Sequence, residues 1–159
     1  MDIRVGNGYD THPLIKGEKL ILGGIYIPHK KGIIGHSDGD ALIHSIIDSL
    51  LGAISKRDIG YHFPSSDPEL KNISSFTLLK KVVKKLSLEG YKILNIDSTI
   101  ILEAPPISKF IDSMLKTISS EIGLNKSRLS IKATTNDGLG FIGSGEGISV
   151  ITTSLIIKD

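Results

Sequence analysis

The stretch Asp40–Ile54, DALIHSIIDSLLGAI, decides how this chain folds. Its apolar residues Leu42, Ile43, Ile46, Ile47, Leu50, Leu51 and Ile54 recur at helical spacing, which predicts a helix with one broad buried stripe and Ser37 or Asp38 as candidate N-cap. Upstream the pattern differs. Ile3 to Val5 reads as a short strand, and Leu20 to Ile27, interrupted by Gly23-Gly24, as a hairpin or bulged strand, the two flanking a loop that carries Asp10 and His12. Downstream a second helix is expected from about Ser74 to Glu89. Phe76, Leu79, Val82, Val83 and Leu86 would face inward, Lys80, Lys81, Lys84 and Lys85 mostly into solvent, and Gly90 would stop it. Ile93 to Leu102 alternates as a strand until Pro105-Pro106 breaks it. A third helix follows from Phe110 to Ile122, ended by Gly123, and Leu129 to Thr135 and Ile148 to Ile157 read as closing strands.

The order is therefore strands, helix, helix, strand, helix, strand, strand, with no internal repeat and no linker. It predicts an α+β fold, a single domain over residues 1–159, with a mixed β-sheet and helices packed on one face. The other face is left uncovered. Because the strands at 93–102, 129–135 and 148–157 carry apolar residues at both parities, burial of that face by partner subunits is expected.

Composition narrows the function. With 40% hydrophobic and 23% charged residues in a chain of 159, this is an ordinary globular protein with an aliphatic core. A net charge of only +2, with lysines spread between segments, argues against a nucleic-acid groove. Absence of cysteine removes disulfides and thiolates and leaves His and Asp as the strong transition-metal ligands. No apolar run approaches the ~20 residues of a membrane span, so a cytoplasmic protein is expected, an organelle form with its transit peptide removed being the alternative.

Asp10 and His12, two apart in an extended segment, project to one side and can reach one ion, with His44 supplying a third ligand from the helix. Three such ligands leave a zinc ion an open position, the mark of a catalytic rather than structural metal. Taken singly, each histidine also reads as an ordinary hydrogen-bonded residue. Asp48, one turn beyond His44, could orient an imidazole or simply sit in solvent. Zn²⁺ with two neutral imidazoles and one carboxylate keeps a net charge of +1, which favours a phosphoryl substrate. Gly35-His36-Ser37-Asp38-Gly39-Asp40, directly before the helix, can receive an anion, or be no more than a cap and turn. Lys132 to Phe141 and the glycine-rich Gly143 to Gly147 could cradle a diphosphate, with Asp137 holding a hard cation such as Mg²⁺; hairpin turns use the same residues.

These pieces together resemble the 2-C-methyl-D-erythritol 2,4-cyclodiphosphate synthase family of the non-mevalonate isoprenoid pathway. The resemblance rests on Gly8-Tyr9-Asp10-Thr11-His12, His36-Ser37-Asp38-Gly39-Asp40 with His44, Asp58-Ile59-Gly60 with Phe63-Pro64, Lys132-Ala133-Thr134-Thr135, and Leu139-Gly140-Phe141 with Gly145-Glu146-Gly147, in the family's order over essentially the whole chain. It implies a homotrimer with an active site at each subunit interface. The substrate would be 4-diphosphocytidyl-2-C-methyl-D-erythritol 2-phosphate, and the products the cyclic diphosphate and CMP. Asp10, His12 and His44 would bind one zinc per subunit. His36 and Ser37 would contact the erythritol phosphate end, Asp58, Ile59 and Gly60 the sugar-alcohol hydroxyls, and Phe63, Pro64, Ser65, Ser66 and Asp67 would close over it. Leu102, Glu103, Ala104, Pro105, Pro106, Ile107 and Ser108 would hold cytidine and its phosphates together with Thr134, Thr135, Asn136 and Asp137, from the neighbouring subunit. Thr135 would donate a hydrogen bond to the transition state, with His36 as the second catalytic residue. Phe141 and Ser144 complete the implied substrate contacts.

Five positions depart from the family pattern. Asn136-Asp137 replaces Thr-Glu, shortening the carboxylate that would hold a second divalent cation, Mg²⁺ or Mn²⁺. Pro106 stands where lysine is common, and Ser65 where aspartate is usual. Ser144 takes a common arginine position, which in the family can face the trimer's central cavity and bind isoprenoid diphosphates. Two other readings of the Asp/His set remain: a zinc-dependent phosphohydrolase using a metal-bound water, and a non-catalytic metal-binding oligomer.

Overall fold

The expected short strand and the loop after it are one strand, β1 (Asp2–Lys16), in the computed structural model, which describes residues 1–35, 38–70 and 73–158. Its partner is the last strand, β7 (Gly147–Lys158), in antiparallel register from Asp2 opposite Lys158 to Pro13 opposite Gly147. The inward positions of β1 include Gly6, Gly8, Asp10 and His12, so the strand lacks the apolar alternation that reveals strands in sequence.

β2 (Leu20–Leu22) and β3 (Ile25–Ile27) form the anticipated hairpin as a separate ribbon, and β4 (Lys31–Ile33), too short to show periodicity, pairs with the end of β1. The main helix α1 (Ala41–Ala53) follows, then a single turn, α2 (Ile59–His62), and α3 (Ser75–Leu88). β5 (Lys92–Ile101), α4 (Ile111–Ile122), β6 (Leu129–Thr134) and the short α5 (Gly140–Gly143) lead into β7. The five strands of the sheet run in the order β4-β1-β7-β5-β6. β5 and β6 are parallel, which α4 makes possible as the crossover, and the other pairs are antiparallel.

Helix α1 lies directly on β1. A Cβ placed on Gly6 would sit 1.9 Å from the Ser49 carbonyl oxygen, and one on Gly8 1.9 Å from that of Ser45. Leu42, Ile43, Ile46, Ile47, Leu50 and Leu51 are fully buried, and α3 packs on α1 as well. The N-cap of α1 is Asp40, not Ser37 or Asp38. Asp40 Oδ1 accepts the Ile43 amide at 3.2 Å and the Gly23 amide at 3.0 Å, and Oδ2 accepts the Gly24 amide at 2.8 Å. One carboxylate thus caps the helix and docks the β2–β3 turn on it, which local sequence could not disclose. Burial pushes the Asp40 pKa up to about 6 despite the three amides that favour its charge. Ser37 lies outside the described residues.

The long helices sit on one side of the sheet, as expected. On the other, Ile3, Val5, Tyr9 and Ile151 remain 44–59% exposed, an apolar surface of the kind that marks an interface. Among the described residues, no helix is long and apolar enough to cross a membrane.

Candidate metal centre and active site

Pairing of β1 with β7 sets Asp10 opposite Val150 and His12 opposite Ile148, so both side chains point from the same face toward α1. The close approach at Gly6 and Gly8 brings His44 down onto them. Asp10 Oδ2 lies 2.8 Å from His12 Nε2 and 3.4 Å from His44 Nδ1. One ligand atom from each of the three residues lies within 4.8 Å of the others. Asp10 Oδ2 and His12 Nε2 are buried, and neither has a directed hydrogen bond despite their proximity. Orphaned buried atoms converging this way fit a cation between them.

Charge supports the same reading. Burial raises the Asp10 pKa, but contact with the His12 and His44 rings outweighs it and leaves the carboxyl below its usual range. For His44 burial lowers the pKa, and the Asp10 carboxylate more than restores it, so the net shift is upward. One oxygen and two nitrogens suit a divalent metal and leave coordination positions open.

A cleft of about 310 Å³ opens from His12 and His44 along Ile59, Gly60, Phe63, Pro64, Ser65 and Ser66 to Leu70, Ile73 and Leu78. Asp58 caps α2 by accepting the Tyr61 amide at 2.9 Å. Asp48 does not orient an imidazole; its Oδ1 accepts the Ile59 amide at 2.7 Å and ties this turn to α1. Burial raises the Asp48 pKa. Asp67 accepts the Glu69 amide at 3.0 Å and starts the turn Pro68–Leu70. His36 and Ser37, the expected contacts for the erythritol phosphate, lie outside the described residues.

A second group forms at the ends of β5 and β6. The Leu102 amide donates to Thr134 O at 3.0 Å and the Asn136 amide to Glu103 Oε2 at 3.1 Å, which joins the two loops. Asn136 Nδ2 donates to Leu139 O at 2.8 Å. Leu102 and Ile107 anchor their loop in the core, while Ala104, Pro106 and Ser108, with Thr134 to Asp137, are exposed. Pro105, Pro106 and Ser108 line a cleft of about 280 Å³ with Pro28, Lys109 and Phe110. Phe141 borders His12 and Pro13 in another cleft, and Ser144 is exposed with its hydroxyl donating to Phe141 O at 3.2 Å.

Among the described residues of this second group, only Phe141 reaches the triad; the loops after β5 and β6 do not meet it. Asp10 pairs with Val150, Val150 with Ile100, and Ile100 with Ala133, so the two groups stand level in the sheet. Three strand spacings separate them, about 14 Å.

Residues 3–157 match the model of the YgbB family. The chain belongs to this family. A relative from Bacteroides thetaiotaomicron named 2-C-methyl-D-erythritol 2,4-cyclodiphosphate synthase is 50% identical over 159 residues, 100% of both chains. One of the same name from Clostridium botulinum (strain Hall) is 52% identical over 154 residues, covering 97% of this chain and 99% of that one. Among solved structures, the bifunctional IspDF from Campylobacter jejuni superposes with a TM-score of 0.95 at 36% identity, over 99% of this chain and 43% of the larger protein. The Plasmodium falciparum IspF in complex with CDP superposes with a TM-score of 0.86 at 34% identity, over 99% and 97% of the two chains. The YgbB fold seen here is thus shared with proteins of that name.

Sequence reasoning missed two residues around the triad. Ser75 reaches His44 from the start of α3, and Asp38, in the loop before α1, bonds Ser75; only the contact between those distant segments reveals them.

Proposed function

We propose that this chain, acting as one catalytic domain over residues 1–159, converts 4-diphosphocytidyl-2-C-methyl-D-erythritol 2-phosphate to 2-C-methyl-D-erythritol 2,4-cyclodiphosphate and CMP. The observation that carries the reading is the Asp10/His12/His44 cluster, with the orphaned Asp10 Oδ2 and His12 Nε2 opening onto a cleft in a YgbB fold. An oxygen of the substrate's 2-phosphate attacks the β-phosphorus. A phosphorus–oxygen bond closes the ring as the bond from that phosphorus to the bridging oxygen breaks, and CMP departs with its phosphate. The nucleophile belongs to the substrate, so the protein's task is positioning and charge stabilisation.

Zinc bound by Asp10, His12 and His44, one per subunit, supplies a Lewis acid for the phosphate oxygens. Asp58 and the Ile59–Gly60 turn hold the sugar-alcohol hydroxyls beside it, and Phe63 to Asp67 shield the bound diol from water. His36 and Ser37 take the erythritol phosphate. Thr135 donates to the developing charge. Backbone groups of Leu102 to Ser108 read the cytosine edge, and Thr134 to Asp137 hold the nucleotide phosphates, with Asp137 a ligand for Mg²⁺ or Mn²⁺. Phe141 and Ser144 border the nucleotide end. The ~14 Å between the two groups supports assembly of each site from two subunits of a homotrimer, through the open face that bears Ile3, Val5, Tyr9 and Ile151. We place this trimer in the cytoplasm, which suits a chain without cysteine.

Incubating the pure, zinc-loaded protein with the cytidyl substrate tests the reading. CMP and the cyclic diphosphate in equal amounts are expected. Inorganic phosphate in their place would establish the phosphohydrolase, and metal binding without turnover the non-catalytic oligomer.

A further inference from the structure

Helix α3 begins without a cap of its own, since the side chain at its N-cap position, Ser74, makes no capping bond. Asp38 fills that role from a segment 37 residues earlier. Its Oδ2 accepts the Ser75 amide at 2.9 Å and its Oδ1 accepts the Ser75 hydroxyl. The same hydroxyl oxygen lies 2.9 Å from His44 Nε2. Ser75 is fully buried between the partly buried Asp38 and His44.

Counting protons decides the direction of the chain of bonds. A serine hydroxyl has one proton, and here the Asp38 carboxylate takes it. The remaining contact therefore runs from His44 Nε2–H to the serine oxygen. A neutral imidazole protonated at Nε2 carries its lone pair on Nδ1, the atom that faces Asp10 Oδ2 at 3.4 Å. We propose that Ser75, itself oriented by Asp38, is the positioning residue that holds His44 in the Nδ1-ligating tautomer and so sets the affinity of the metal centre. The proposal rests on reading Asp10, His12 and His44 as metal ligands. It also gives the first turn of α3 a role in the site. Phe63, Pro64, Ser65, Ser66, Leu70 and Ile73 line the cleft between α2 and that turn, so one carboxylate fixes both the helix at its end and the ligand beneath it.

The test is zinc affinity, measured by competition with a chromophoric chelator, alongside thermal unfolding of the metal-free proteins. Ser75→Ala is expected to weaken zinc binding ~10- to 100-fold, and Ser75→Thr, which keeps the hydroxyl, to restore it to within about threefold. A purely structural serine would lower the unfolding temperature of the metal-free protein and leave zinc affinity within about threefold of wild type; that result overturns the proposal. Nitrogen-15 NMR of the zinc-loaded wild-type protein decides independently of any variant. His44 ligated through Nδ1 with a proton on Nε2 is expected, and ligation through Nε2 overturns it. Zinc binding by His44→Ala as tight as by wild type would overturn the metal-centre reading, and this proposal with it.

Discussion

Replacing Gly8 by alanine tests whether the proposed metal centre depends on α1 resting on β1. The new Cβ would lie 1.9 Å from Ser45 O, 2.8 Å from Ser49 N and 2.9 Å from the Ser45 carbonyl carbon. All three are helix backbone, so no rotamer change relieves the clash. Carbon atoms pack at about 3.5 Å or more, so α1 must lift by about 1.5 Å. Overpacking of this kind costs roughly 1–3 kcal/mol. Because His44 rides on α1 while Asp10 and His12 stay on β1, the same displacement opens the ligand set, and metal geometry tolerates only about 0.2 Å. Urea unfolding and chelator competition are the assays: stability falls by about 2 kcal/mol and zinc affinity by more than about tenfold, or ~1.4 kcal/mol. Gly52→Ala is the control on the same helix, since its Cβ would come no closer than 3.7 Å, to Asn7 O. It should be neutral or stabilising by up to about 1 kcal/mol, the helical cost of glycine. Gly8→Ala with wild-type stability and zinc affinity, or Gly52→Ala as damaging as Gly8→Ala, would refute the reasoning.

Other outcomes follow from the same geometry. Thr135→Ala should lower kcat by about tenfold or more while KM changes little, because a bond made only in the transition state is removed; a rise in KM alone would assign Thr135 to ground-state binding. His44→Ala and Thr135→Ala, each inactive or nearly so alone, should regain roughly a quarter of wild-type activity when unfolded together and reassembled in equal amounts. Recovery fails if each site lies within one chain. Asp40→Asn should cost about 1–3 kcal/mol, since the amide nitrogen of asparagine would face a backbone donor that now meets a carboxylate oxygen. The Asp40 pKa is raised by burial from 3.8 to about 6, so its contribution to stability is complete below 3.8 and is lost as pH rises through about 6. The stability gap between wild type and Asp40→Asn should therefore narrow across that range in urea titrations, and a gap independent of pH would contradict the buried carboxylate.

The long helices α1, α3 and α4 were legible because each buries an apolar stripe at helical spacing, and α3 and α4 are followed by a glycine in the left-handed region, φ 86° at Gly90 and φ 66° at Gly123. The same rule hid β1, whose inward positions hold two glycines and two candidate metal ligands, and β4, which is only three residues long. Residue types alone made Asp10, His12 and His44 candidates. Asp48 was misread because its partner, the Ile59 amide, belongs to a turn whose position no local pattern specifies.

What the sequence determined by itself was the supply of parts: an amphipathic helix starting near Asp40, strands apolar at both parities, an Asp-x-His pair on one side of an extended chain, and loops rich in hydroxyls. Tertiary structure decided which parts meet. The register of β1 against β7 joins residues as far apart as Asp2 and Lys158, and the glycines beneath α1 set its height over the strand. Local preferences act over a few residues, whereas register and helix height are settled by close packing of the whole sheet and core. That packing brings His44 to Asp10 and His12 and leaves the Thr135 loop three strands away.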